Sequence, residues 1–477
     1  MTISESTPGA SQQALRDFLE SYPEYAETTA LDELRRRDFT RLDREHHVYL
    51  DYTGGGLYAE SQIDKHMRLL RSTVLGNPHS TNPTSQGATD RVETCRRRIL
   101  DFFHASEDDY GVIFTANASQ ALKLVGESYP FEPGDQFLLT FDNHNSVNGI
   151  REFDRAHGAK TTYVPVSPPD MRVDPGVIDT YFDLAAAGRH NLFAYPAQSN
   201  FSGVQHPLSW IERAQVKGWD VLLDAAAFVP TNPLNLTRYR PDYVALSFYK
   251  MFGYPTGLGA LIARWPALEK LHRPWFAGGT IEVASVQADR HYLAAGSAAF
   301  EDGTLDYANI PAIDVGLDLL ESVGLEVLGR RVKCLAGWLI ESLVAIRHAN
   351  GRPLIQLYGP VSMENRGGTI TINFYDPDGQ VIDHDLIEEA ANREMISLRT
   401  GCFCNPGAGE MALGISKQEL VSCFSDPERG MTYGDFRLCI DGKSTGAVRV
   451  SAGLASNFDD VYRFARFAER FLDGNRP

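Results

Sequence analysis

DYVALSFYKMFGYPTGLGALI, residues 242–262, places a lysine between two apolar runs and follows it with a glycine- and proline-rich connection. Runs that are apolar at successive positions, rather than alternating, read as strands buried on both faces. The same texture recurs on either side, in YGVIFT (110–115), QFLLTF (136–141), TTYVPV (161–166), NLFAYP (191–196) and DVLLDA (220–225). HVYLDYT (47–53) reads as a further strand at the start of the series. Amphipathic segments lie between them. In RVETCRRRILDFFHA (91–105), Val92, Cys95, Ile99, Phe102 and Phe103 share one helical face. Strand alternating with helix predicts an α/β fold with a mainly parallel sheet wrapped by helices.

After about Ile310 the texture changes. A helical stretch from Asp314 to about Ile346 leads to TITINFY, AVRVSAG and a terminal helix, DDVYRFARFAERFL. The expected division is an N-terminal arm (1–45, with a helix near Gln12–Leu19 and charged stretches such as DELRRRD), a large domain (46–310) and a smaller α+β domain (311–477). The chain has 477 residues, 43% of them apolar and 22% charged, a globular composition. Its net charge of −17 argues against nucleic acid and anionic membranes as partners. No apolar run reaches the roughly 20 residues of a membrane span, and the N-terminus lacks signal-peptide features, so a cytoplasmic protein is expected. Six cysteines lie at 95, 334, 402, 404, 423 and 439. In a reducing compartment a disulfide framework is not expected, and a special cysteine is a reactive thiol. Cys402 and Cys404 form the one close pair, too few ligands for zinc, so no metal site is expected.

Three strand ends carry the candidate chemistry. FTANASQ (114–120) turns a buried strand into a helix start, where free N–H groups and a hydroxyl can cup a phosphate; a plain helix cap is the simpler reading. Asp224 ends the apolar run VLLD, either as a cap or as a carboxylate holding a protonated ring nitrogen. Lys250 lies 26 positions further on, past the next strand. In an open α/β sheet such ends converge on one crevice. A lysine there can bind an aldehyde cofactor covalently, and the aspartate can keep a pyridine ring an electron sink.

These residues resemble the class V aminotransferase and cysteine desulfurase group of pyridoxal-phosphate (PLP) enzymes of fold type I. Within it the resemblance is strongest to the N-terminal, sulfur-mobilising domain of molybdenum cofactor sulfurases. It runs from about His46 to Arg466 and is most specific in LDAAAFVPTNPLNL, SFYKMFGYPTGLGALI, SLRTGCFCNPGAGE and DGKSTGAVRVSAG. The resemblance implies PLP as cofactor, Lys250 as its Schiff-base lysine and Asp224 as the partner of the pyridinium nitrogen. It also implies His144 stacked on the ring and able to shuttle protons, and Asn200 on the ring hydroxyl oxygen. Ala118, Ser119, Ser247 and Tyr249 would hold the phosphate, with Thr304 reaching the other subunit of a homodimer. Arg449 would clamp the substrate carboxylate as a bidentate fork, with His79 and Arg399 nearby.

Cys404 would be the nucleophile, its thiolate taking sulfur from L-cysteine as a persulfide and leaving L-alanine. Asn405 to Gly409 would supply the mobile loop that carries it, and Cys402 is the less expected nucleophile. Tyr249 stands where ordinary cysteine desulfurases have histidine, and Ala227 where they have glutamine. Because the chain ends at Pro477, sulfur is expected to pass to a separate acceptor. The alternative is another PLP reaction on an amino acid: C–S lysis, transamination or epimerisation.

Overall fold

The computed structural model describes residues 8–78, 80–425, 430–440 and 446–475. Seven strands form the main sheet: β1 (Tyr110–Thr115), β2 (Gln136–Thr140), β3 (Lys160–Val164), β4 (Asn191–Pro196), β5 (Asp220–Asp224), β6 (Tyr243–Ser247) and β7 (Gly259–Arg264). Their spatial order is β1-β7-β6-β5-β4-β2-β3. Only β7 runs against its neighbours; the other pairings are parallel. Every residue of β1, β4 and β6 is buried, as their unbroken apolar runs predict, and separate apolar clusters cover the two faces. Helix Pro83–Phe102 presents Val92, Cys95 and Ile99 to this core, while Phe102 packs at its margin.

A second sheet holds β8 (Ile355–Tyr358), β9 (Thr369–Phe374), β10 (Arg399–Gly401) and β11 (Ala447–Ser451) in the antiparallel order β8-β9-β11-β10. The helical stretch before it is two helices, Pro311–Val323 and Leu325–Ala345, parted at Gly324 with φ +83°. HVYLDYT gives only a two-residue strand, Val48–Tyr49, and it pairs with Ile396–Ser397 rather than joining the main sheet. Asp51 continues the same path as a bridge to Ser451, so this segment belongs beside β11.

The N-terminal helices pack on this second layer. Phe18 is fully buried and stacks on Phe458. The charged stretch DELRRRD is not a solvated face throughout. Arg35 is 6% exposed and ties its helix to Asp460 and to the carbonyl of Ala455. A buried guanidinium needs such partners to offset its lost hydration. Among the described residues no helix is long and apolar enough to cross a membrane.

One cysteine expectation is corrected. Cys423 and Cys439 form a disulfide between the short helices Lys417–Cys423 and Tyr433–Cys439. Their spacing of 16 residues carried no signal, because the pairing depends on how the two helices meet in the fold.

Candidate active site

The C-terminal ends of β1, β6, β5, β4 and β2 point to one edge of the main sheet, and a cavity of about 180 Å³ lies there. Each end supplies a polar group. After β1, Asn117 caps the helix Ala118–Ser128 by accepting a hydrogen bond from the N–H of Gln120 at 3.0 Å. The Ala118 N–H donates to Ser247 Oγ at 2.8 Å, and the hydroxyls of Ser119 and Ser146 are hydrogen-bonded to each other. The first turn of that helix therefore faces the cavity with N–H groups and hydroxyls, a favourable seat for a phosphate.

Asp224 ends β5 at 8% exposure, and its Oδ1 accepts from the N–H of Ala226. Lys250 lies in the short helix Phe248–Phe252, which stops at Gly253 in a left-handed conformation (φ +79°). A side chain there would collide with the Leu57–Tyr58 backbone, at 2.3 Å, so glycine is required. Lys250 has no hydrogen-bond or ion-pair partner among the described residues. Burial holds its amine below the usual lysine range, partly opposed by the carboxylate of Asp224. His144 caps the next helical turn: its Nδ1 accepts from the Ser146 N–H at 3.1 Å, which leaves the ring proton on Nε2. Burial lowers its pKa, with Asp224 opposing and Lys250 and Arg449 adding to the shift. Tyr249 also lines the cavity, its phenol pushed up by burial.

The second layer brings Arg449, 3% exposed on β11, within electrostatic reach of Lys250 and His144, outside the lining of the cavity. Its guanidinium is already engaged. One terminal nitrogen donates to Asp51 Oδ1 at 3.0 Å and the other to the carbonyl of Asn200 at 3.1 Å, while the buried Nε has no partner. A free bidentate fork is thus not what the structure shows; the unsatisfied donor is Nε. Burial lowers the Arg449 pKa, and Asp51 pulls it back up. Arg399, opposite Arg449 in the β10–β11 register, is bonded to the other oxygen of Asp51 and lies half in solvent. Asp51 is the residue that sequence reasoning missed. Its only signal was a carboxylate in an otherwise apolar run.

Cys404 is exposed and Cys402 half-buried. Asn405 to Gly409 is not a loop: Pro406–Ala412 is a helix, with Asn405 as its cap and proline in the first turn. Gly407 lies so close to Phe141 that a Cβ would sit 2.0 Å from its carbonyl oxygen. The thiol is carried instead by the turn before this helix. There the Asn145 N–H donates to the Cys404 carbonyl at 2.7 Å and Asn200 Nδ2 to the Phe403 carbonyl at 2.8 Å. Asn200 lines the cavity, yet its amide is already used by this turn. Cys404 lies within electrostatic reach of both Lys250 and Arg449. Thr304 is exposed and outside the cavity, accepting from Asn77 at 3.3 Å. His79 lies outside the described residues.

Residues 48–464 match the class-V aminotransferase family, and the chain belongs to it. This is a family of PLP enzymes. The donor set found here fits that cofactor, with a half-buried unpaired amine, a carboxylate on a neighbouring strand end and a helix start for the phosphate. Among curated proteins, the chain is 37% identical over 492 residues to a molybdenum cofactor sulfurase of Solanum lycopersicum, a match covering 96% of this chain and 59% of that protein. A human molybdenum cofactor sulfurase is 39% identical, covering 92% of this chain and 51% of that one. The chain thus spans between half and three fifths of these relatives' length. Among solved structures, a cysteine desulfurase from Thermococcus onnurineus NA1 superposes with a TM-score of 0.75 at 22% identity, covering 93% of this chain and 98% of its own.

Proposed function

We propose that this protein is a cysteine desulfurase, which converts L-cysteine to L-alanine and holds the sulfur as a persulfide on Cys404 for a separate acceptor. The observation that carries this reading is that Lys250 and Asp224 line one cavity, with buried Arg449 and the exposed Cys404 thiol both within electrostatic reach of Lys250. Similarity to molybdenum cofactor sulfurases and to cysteine desulfurase structures supports it.

PLP, when bound, supplies the electron sink that labilises bonds at the amino acid's α- and β-carbons. The chain's own groups do the rest. Lys250, whose neutral form burial favours, would hold the cofactor covalently and would serve as a base for the Cα proton. Asp224 would keep a proton on the ring nitrogen, and neutral His144 would offer its Nε2–H. The helix start at Ala118–Ser119, with Ser247 and Tyr249, would hold the phosphate. Arg449 receives the α-carboxylate through its unsatisfied Nε. The Cys404 thiolate attacks the substrate sulfur; the C–S bond breaks, a proton reaches the β-carbon, and alanine leaves behind Cys404–S–SH. The acceptor then takes the outer sulfur and restores the thiol.

The reading includes a homodimer in which Thr304 serves the partner's phosphate site. Among the described residues the strands Ile281–Ser285 and Arg290–Leu293 pair only with each other; Val283 and Tyr292 on them and Val286 in the turn between them are exposed, as are nearby Trp275 and Phe276. An isolated two-stranded ribbon with such a surface is unstable in water, and a second copy would cover it.

A second reading, a C–S lyase, aminotransferase or epimerase, draws on the outward exposure of Cys404. The deciding experiment is product analysis with L-cysteine for the wild type, Cys404→Ser and Cys402→Ser. Alanine and a protein-bound persulfide from wild type and Cys402→Ser, and neither from Cys404→Ser, support the desulfurase. Full alanine production by Cys404→Ser, or pyruvate and ammonia from the wild type, refutes it.

A further inference from the structure

The Cys402–Asn405 turn has an unusual backbone. Phe403 and Cys404 both lie at φ +56°, a left-handed conformation that side-chain-bearing residues seldom adopt. Two in succession persist only where the surroundings hold them. The holding contacts come from the cavity wall: Asn145 on the Cys404 carbonyl, Asn200 on the Phe403 carbonyl, and the Asn405 amide on Asn200 Oδ1 and the Asp142 carbonyl. The side chains on the turn then face opposite ways. Cys404 is exposed, whereas Phe403 is 8% exposed and packs against Phe201 at 5.5 Å between ring centroids. On the Phe403 ring rests the guanidinium of Arg449, its Cζ 4.8 Å from the centroid.

One guanidinium therefore touches the nucleophile's turn with its face and keeps an unsatisfied Nε for an acceptor. We propose that Phe403 is a positioning residue that couples the Arg449 site to the Cys404 thiol. While Nε has no acceptor, the guanidinium, which shares the Asp51 carboxylate with Arg399, attracts the ring face and pins the strained turn with the thiol outward. An α-carboxylate at Nε neutralises and draws the guanidinium, weakens the cation–π contact and lets the turn relax, bringing the thiol toward the substrate. Substrate arrival and nucleophile placement then occur together, and a thiol facing solvent is not committed to an empty site. This rests on the reading above in taking Arg449 as the carboxylate site and Cys404 as the nucleophile.

The test follows Cys404 alkylation by iodoacetamide, read by peptide mass, in PLP-loaded protein carrying Cys402→Ser. That background leaves Cys404 as the one free thiol that is not buried. L-alanine is the probe, since it has the carboxylate and no sulfur to transfer. Saturating L-alanine should slow alkylation about threefold or more, the size of one cation–π contact. Phe403→Ala should alkylate at a rate that L-alanine does not change, and Phe403→Tyr should keep the response. With L-cysteine, Phe403→Ala should lower kcat for alanine formation about tenfold while KM shifts less, and its bound-cofactor spectrum should stay that of the parent. An unchanged L-alanine response in Phe403→Ala, or no response in the parent, overturns the coupling. Failure of the desulfurase reading shows differently, as no alanine from L-cysteine while the alkylation response remains.

Discussion

Replacing Asp51 with alanine should cost this protein more than any other single charge removal at the site. Arg449 is 3% exposed, its 3.0 Å bond to Asp51 is its only contact with an anion among the described residues, and burial already lowers its pKa against that carboxylate. Stranding a buried charge costs about 3–5 kcal/mol. The Asp51–Arg399 contact adds little, because half of the Arg399 side chain is in water and solvent screens the pair to under about 1 kcal/mol. The remaining bond to the Asn200 carbonyl and the Phe403 ring soften the loss, so about 3 kcal/mol is expected. The assay is urea unfolding by tryptophan fluorescence for wild type, Asp51→Ala, Arg449→Met and the double variant. If a stranded charge is the cause, the double variant should be more stable than Asp51→Ala by about 1–2 kcal/mol, since it removes the guanidinium too. Additive losses, or an Asp51→Ala change under about 0.5 kcal/mol, would show that Asp51 and Arg449 are not coupled in this way.

Lys250→Ala should abolish the visible absorption band of the PLP-loaded protein. In the wild-type apoprotein the pH midpoint for covalent PLP uptake should lie below the usual lysine value of 10.5, because burial favours the neutral amine. Folding then sheds a proton between that midpoint and 10.5, so apoprotein stability should rise with pH across the window; a midpoint at or above 10.5 contradicts the buried environment. Thiol titration of protein denatured without reductant should find four free cysteines, and six after reduction, the difference being Cys423–Cys439. Six before reduction would remove that disulfide. Mixing Lys250→Ala with Thr304→Ala subunits should restore activity in part, since one site of each heterodimer regains both groups; full activity in a strict monomer would exclude the shared site.

Some of this protein is legible in residue order alone. Strands buried on both faces must be apolar at every position, so β1, β4, β5 and β6 announce themselves, and with them the strand ends that hold Asn117, Asp224 and Lys250. The chemistry at those ends is local to the motif that carries it. Other features depend on segments hundreds of positions apart. Asp51 matters because its segment bridges to β11, next to an arginine 398 residues later. The engaged state of Arg449, the capture of Asn200's amide by the Cys404 turn and the pairing of Cys423 with Cys439 are likewise decided by packing. Even the expected loop at Asn405 became a helix because Asn405 caps it and glycine lets it sit against Phe141. Periodicity reports which face of an element is buried, so residue order shows where a site lies. Which donor meets which acceptor depends on a few ångströms between elements that share no sequence neighbourhood, and only the folded chain sets those.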